Sequence, residues 1–371
     1  MSENTTENTA LPAPDPRAAG HAPAASAPNR ARGRRLGGTV RWDTAVGALL
    51  VVLIAASFAG VHGFGNALNI SFLMGNTLPI AAIALPMTML VAAGEIDLSV
   101  GSTVGLSGSV MGALWNDGMN INMIILICAL LGVVCGLVNA LLVTRLGLPS
   151  LAVTIGTLAA YRGIAQIVLG SNSVTDFPQN YLDFGSGRLA GTFVPEAAIP
   201  WLVLAVLAAV LLHATGFGRS VFAVGASREA AWFAGLRVKR IKLSLFVATG
   251  LVSSLTGVFW VLHYASASYD NATGLELSVV AAVLLGGVDF DGGRGTLGGA
   301  LAGVFLLGTL QNVMSLANVS AQSQTVVTGV LLVVSVLGPR VARQLAVARA
   351  RRAHRGAPPT PPHGPVPAAT G

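Results

Sequence analysis

Long apolar stretches separated by short polar breaks dominate the chain from residue 44 to residue 338. Ala45–Gly60 and Asn122–Leu142 contain no charged side chain. Runs of this kind match the roughly 20 helical residues needed to cross a hydrocarbon core about 30 Å thick. Strands of a membrane barrel would instead alternate apolar and polar positions. The pattern predicts an all-α, polytopic transmembrane bundle of about ten spans: 44–62, 75–93, 98–115, 121–143, 150–170, 200–215, 242–264, 275–288, 295–316 and 322–338. The third and eighth are short and Gly-rich, so a count of eight or nine also fits.

Composition points the same way. Of 371 residues, 53% are hydrophobic and only 10% charged, with a mean hydropathy of +0.71; a soluble domain carries about 25% charged residues. The 45 glycines suit helices that approach closely within lipid. Basic residues fall in three clusters: Arg30–Arg41, Arg219–Lys242 and Arg340–Arg355. The positive-inside rule places all three, and hence both termini, on the cytoplasmic side. Residues 1–42 and 339–371 cannot bury a core and read as disordered basic tails around a transmembrane domain, 43–338. Within that domain 216–241 is an inward loop, whereas 171–199, with Asp176, Asp183 and Glu196, faces outward. Basicity thus follows topology and does not imply nucleic acid. Arg34-Arg35 is a basic flank of the first span, because no small-residue cleavage site of an export signal follows.

Enzyme chemistry finds little material. Cys128 and Cys135 lie in one apolar run and read as small hydrophobes. His62, His213 and His263 do not cluster. No metal-ligand spacing and no nucleophile–base pair is present, so no catalytic or metal site is assigned.

Three motifs remain. Gly94–Ser102 sets Glu95 and Asp97 between two apolar runs, with Ser99 and Gly101 just beyond. Asp97 suits the N-cap of the following helix first, and an acid at membrane depth is also a candidate for a permeation path. Gly286–Gly295 likewise joins two runs; aligning Asp289 with Asp97 aligns Gly286 with Gly94 and Gly293 with Gly101. Such Gly-interrupted pairs point to a transport pathway, to which Gly287 and Glu276 are added as candidates. No phosphate-binding G-x-x-x-x-G-K-[ST] occurs anywhere, which excludes a nucleotide site of that kind. The third motif is a short helix in the inward loop. Ser227 caps it, Arg228, Glu229, Ala230, Ala231, Trp232, Phe233 and Ala234 form it, and Gly235 stops it. Trp232 and Phe233 anchor it either to lipid headgroups or to a groove in a cytoplasmic partner.

Four segments, in order, carry a resemblance: GEIDLSVGS (Gly94–Ser102), LGLPSLAVTIGTLAAYRG (Leu146–Gly163), GASREAAWFAGLRV (Gly225–Val238) and GLELSVVAAVLLGGVDFDGGRGTLGG (Gly274–Gly299). Together they resemble the permeases of the ribose/xylose/rhamnose/autoinducer-2 class of ABC importers, within the branched-chain-amino-acid-like permease superfamily. The likeness spans roughly residues 45–338 and leans toward rhamnose-type members through Leu114-Trp115-Asn116. It implies a dimer with a second permease copy or paralogue, a cytoplasmic ATPase that holds ATP and Mg, and an extracytoplasmic sugar-binding protein docking on outward loops 171–199 and 265–274. It also makes Ser227–Gly235 the ATPase-coupling helix, although the family often carries Asn where this chain has Ser227. The expected activity is alternating-access import of a monosaccharide, with hydrolysis in the partner and no enzyme activity in this chain. A proton-coupled carrier would need an ionisable relay inside the spans, and the chain offers only Arg162 and acids at the span ends.

Overall fold

The structure, a computed structural model, describes residues 42–337. Apart from Trp42, the two expected tails lie outside the described residues. Among the described residues thirteen α-helices follow one another: α1 (Trp42–Gly60), α2 (Ala67–Ala92), α3 (Val100–Asn116), α4 (Ile121–Thr144), α5 (Ser150–Leu169), α6 (Gln179–Ser186), α7 (Ala198–Ala209), α8 (Gly216–Ala226), α9 (Arg228–Phe233), α10 (Val238–Tyr264), α11 (Leu275–Leu285), α12 (Leu297–Leu316) and α13 (Ala321–Leu337). Their starts follow from short polar side chains. Asn66, Asn120, Thr215, Ser227 and Thr296 each accept a backbone N–H of the helix they open, which satisfies a donor the helix itself leaves unpaired.

Each of the ten expected spans becomes a helix, but not all reach spanning length. Among the described residues α1, α2, α4, α5, α10 and α12 are long and apolar enough to cross a membrane. A seventh crossing arises if α7, extended by a π turn at Val210–Ala214, and α8 count as one span broken at Thr215 and bent by 68°. The expected inward loop 216–241 is therefore largely helical, formed by α8 and α9. α2 also starts earlier than expected, at Ala67, where Asn66 caps it.

The bundle sorts its helices by solvent. α1, α4, α5 and α7 expose large apolar side chains such as Val51, Leu130, Ile167 and Val203. That much apolar surface would drive aggregation in water and is matched by lipid. α2 and α10 run through the centre and are mostly buried. α10 packs on α4, α3 and α2. Its contact with α4 depends on missing side chains: a Cβ at Gly132 or Gly136 would strike the backbone of Gly250 or Phe246, and one at Gly250 would lie 2.7 Å from the Gly136 nitrogen. Backbones this close gain dispersion contacts and short interhelical hydrogen bonds, the main attractive terms between helices in lipid. One such bond joins Ser254 Oγ to the Cys128 carbonyl at 2.5 Å.

Candidate functional site

α9 is held from both ends by local chemistry. Ser227 Oγ accepts the Ala230 N–H at 3.2 Å. At the other end Gly235 adopts φ +80°, and the N–H groups of Gly235 and Leu236 close onto the Trp232 and Ala231 carbonyls at 2.9 and 3.0 Å. This double closure needs a left-handed residue, which glycine supplies without a Cβ clash. Ala231 alone of the six helical residues is buried, while Trp232 and Phe233 are 65% and 80% exposed. Their rings meet edge to face at 5.0 Å. With Leu236, Arg228 and Arg237 they line an open hollow of about 1040 Å³. A small helix thus presents an aromatic pair within a basic surround.

The chain just ahead of α9 is clamped to the other two motifs. The Gly293 N–H donates to the Ala92 carbonyl at the end of α2, at 2.8 Å. A Cβ on Gly225 would collide with both of those groups, one on Gly292 would lie 2.8 Å from the Gly94 nitrogen, and one on Gly293 2.8 Å from Ala226. The Gly94 turn, the Gly286–Gly295 loop and the base of α9 therefore form one junction built on backbone contact.

The predicted acids do different things from one another. Asp97 is buried, and its Oδ1 accepts the Ser99 N–H (2.9 Å), the Ser99 hydroxyl (2.6 Å) and Asn139 Nδ2 (3.4 Å), while Oδ2 accepts the Thr249 hydroxyl (3.2 Å). It ties α3, α4 and α10 together. The expected N-cap position is corrected: α3 starts at Val100 and Ser99 stands at its cap, so Asp97 closes the turn before the helix. Glu95 forms an ion pair with Lys242 at the start of α10, both side chains about nine-tenths buried. Asp289 is not the equivalent of Asp97, and the expected repeat is corrected accordingly. Its Oδ1 accepts the Asp291 N–H at 3.3 Å and its own N–H donates to the Arg294 carbonyl, which shapes a loop, whereas Thr296 caps α12 by accepting the Gly299 N–H at 3.0 Å. Gly101 and Gly293 differ too, since Gly101 faces Glu276 and Gly293 faces Ala226. Gly286 packs on Gly299 of α12, and Gly287 lies beside the Trp42 ring.

Residues 265–274, expected as an outward loop, run alongside α3. Ala267 packs at Gly112, Asn271 near Gly108, and Ala272 at Gly101. Gly101 to Gly112 is eleven helical steps, about 16 Å at 1.5 Å each. Arg162 holds this irregular stretch by donating to the Tyr269 and Asn271 carbonyls, both at 2.8 Å. Glu276 follows in the first turn of α11.

Because Lys242 and Glu95 are mostly withdrawn from water, reversing one charge alone should leave two like charges together and cost about 3 kcal/mol. Glu95→Lys or Lys242→Glu should each lower the melting temperature in detergent, and the double exchange should restore most of it. Equal melting of the two single variants and the wild type would remove the pair from the account.

A site that sequence reading missed lies at the other end of α2. There a cavity of about 870 Å³ is lined by α2, the 270–278 stretch, α12 and α13, with Trp260 and Tyr264 of α10. Its polar groups are shared among several helices, no more than three on each of α2, α12 and α13, so no local motif marks it. The signal available was amides inside apolar runs, Asn76, Gln311 and Asn312. Among the described residues no group of three His, Cys, Asp or Glu is placed to hold a metal ion, and Cys128 and Cys135 are free and buried.

Residues 69–336 match the family described as branched-chain amino acid transport system / permease component. The chain is similar to the autoinducer 2 import system permease protein LsrD of Escherichia coli K12, of Escherichia coli O157:H7 and of Shigella flexneri. Each is 34% identical over 329 residues, covering 85% of this chain and 98% of the relative. No solved structure matches.

Proposed function

Because the chain belongs to the branched-chain amino acid transport system permease family, we propose that it is the membrane-spanning subunit of an ATP-driven importer of a neutral monosaccharide, rhamnose-like or ribose-like. The observation that carries this reading is α9. A helix of six residues, capped at both ends and anchored at its base to the Gly94 turn and the Gly286–Gly295 loop, presents Trp232 and Phe233 outward. Force applied by a partner at α9 passes through backbone contacts to α2, α11 and α12, with no flexible linker between. ATP and Mg sit in that partner, a cytoplasmic ATPase, and this chain holds no cofactor. A binding protein delivers sugar to the opposite face, which includes 171–199, and a second permease completes the pathway. The ten-crossing reading adds α3, α11, α13 and the bent α7–α8 to the six helices of spanning length, with both termini on the cytoplasmic side of a bacterial inner membrane.

Two of the acids, Asp97 and Glu95, leave little for a proton-driven carrier. Asp97 is held by Ser99, Asn139 and Thr249, and Glu95 is paired with Lys242. The test is reconstitution of the permease, its ATPase and its binding protein into liposomes with radiolabelled L-rhamnose and D-ribose. Uptake of one of them should require ATP and survive a protonophore. Uptake by the permease alone along a proton gradient would overturn the importer reading.

A further inference from the structure

The cavity of about 870 Å³ opposite the α9 end is lined by side-chain amides and aromatic rings. Asn76, which lines the cavity, accepts the Tyr264 hydroxyl on its Oδ1 at 2.9 Å and the His263 Nε2 lies 3.4 Å from the same atom, which leaves its NH₂ to act as a donor. Gln311 donates its NH₂ to the Thr328 hydroxyl at 3.3 Å, and Gln324 donates to the Ser315 hydroxyl and the Val319 carbonyl at 3.1 and 3.0 Å. Both glutamines thereby keep an amide oxygen as acceptor. The Trp260 and Tyr264 rings, with centroids 4.9 Å apart, form one wall. No Lys or Arg lines the space, and its one charged lining residue, Asp270, already accepts the Ser268 hydroxyl at 2.5 Å.

We propose that this cavity is the sugar-binding station of the permease, in which Asn76, Gln311 and Gln324 bond hydroxyl groups and Trp260 with Tyr264 receives the C–H face of the ring. The inference rests on the importer reading above and adds the residues that touch cargo. Hydroxyls both donate and accept, so a mixed set of amide donors and acceptors matches them whatever their order around the ring. Aromatic faces add apolar area without charge. A phosphorylated sugar would need the cationic fork or point charge that anions select, and the lining offers none. The volume lies within the range of small-molecule sites and exceeds a single monosaccharide, so water fills the remainder. Neutral, partly wet contacts hold a ligand loosely, as a transit station requires.

The test uses the assembled importer in liposomes, with uptake of radiolabelled L-rhamnose and D-ribose. Gln311→Leu and Asn76→Leu should each reduce uptake at sub-saturating sugar by about fivefold or more, the loss of roughly one hydrogen bond. Trp260→Ala should reduce it further, and Trp260→Phe should restore most of it, with ATPase retention unchanged throughout. D-ribose 5-phosphate should not compete. In a second measurement that does not depend on turnover, Gln311→Cys should react with a membrane-impermeant maleimide added outside, and saturating transported sugar should slow that reaction. Wild-type uptake rates in both leucine variants, or labelling indifferent to sugar, would overturn the site while leaving the importer reading in place. A wild-type assembly that retains its ATPase yet moves neither sugar would overturn the neutral-sugar reading, and this site with it.

Discussion

The Glu229→Arg/Trp232→Ala double variant will lose its cytoplasmic ATPase on co-purification from detergent, while wild type retains it. A buried Trp at a protein interface is commonly worth about 2 kcal/mol or more, and affinity falls about tenfold per 1.4 kcal/mol. Trp232 is free to be such an anchor because it is 65% exposed and contributes little to the fold of this chain. Reversing Glu229 sets a fourth cation beside Arg228, Arg237 and Lys239, which rejects any partner groove shaped for the present charge pattern. The variant still has Ser227, Ala231 and Gly235, the residues that cap, seat and stop α9, so it should insert and melt nearly as wild type does. Glu229→Gln controls for the favourable field of an acid in the first helical turn, worth about 0.3–1 kcal/mol. Full retention of the ATPase by the double variant would remove α9 as the coupling element and favour its other reading, a helix resting on lipid headgroups.

The second large effect is expected at Asp97. Asp97→Ala removes the acceptor for the Ser99 N–H and hydroxyl, for Asn139 Nδ2 and for the Thr249 hydroxyl. Asn139 can still donate to Ser99 Oγ at 2.8 Å and Thr249 to the Phe246 carbonyl at 2.8 Å, so the loss is partial for those two. An unsatisfied buried donor costs about 1–3 kcal/mol, and removing one side of a buried charged network about 3–5 kcal/mol. The melting temperature in detergent should drop by several degrees, with transport falling in step as α3 loses its registration against α4 and α10. Asp97→Asn keeps one acceptor oxygen and should cost clearly less. Equal melting of Asp97→Ala and wild type would show that the network carries no stability. A selective loss of transport at unchanged stability would return Asp97 to the permeation path.

What was legible in the sequence was whatever is local. Hydropathy over twenty residues marks a span, because backbone polar groups in lipid must be satisfied within their own segment. Ser227 and Gly235 mark the ends of α9 because a cap and a left-handed stop each act within three or four residues. Sequence alone therefore determined an all-helical membrane protein, the segments that become its long helices, and the bounds of the short helix α9, whereas α6 and α8 formed where loops were expected.

Only the tertiary structure decided how those segments use their polar residues. Asp97 meets Thr249 across 152 positions and Lys242 meets Glu95 across 147, pairings that depend on which helix faces turn toward each other. The likeness between the Asp97 and Asp289 motifs misled for the same reason: similar letters, one among buried partners on α4 and α10, the other shaping a loop beside Thr296. The 265–274 stretch is irregular, as its polarity suggested, but that it lies along α3 was not legible: Arg162 satisfies two of its carbonyls and Gly101, Gly105, Gly108 and Gly112 leave it room. The polar cavity emerges only when the amides of α2, α12 and α13 converge with two aromatics of α10. A sequence states which groups want partners, and close packing between helices settles which partners they get.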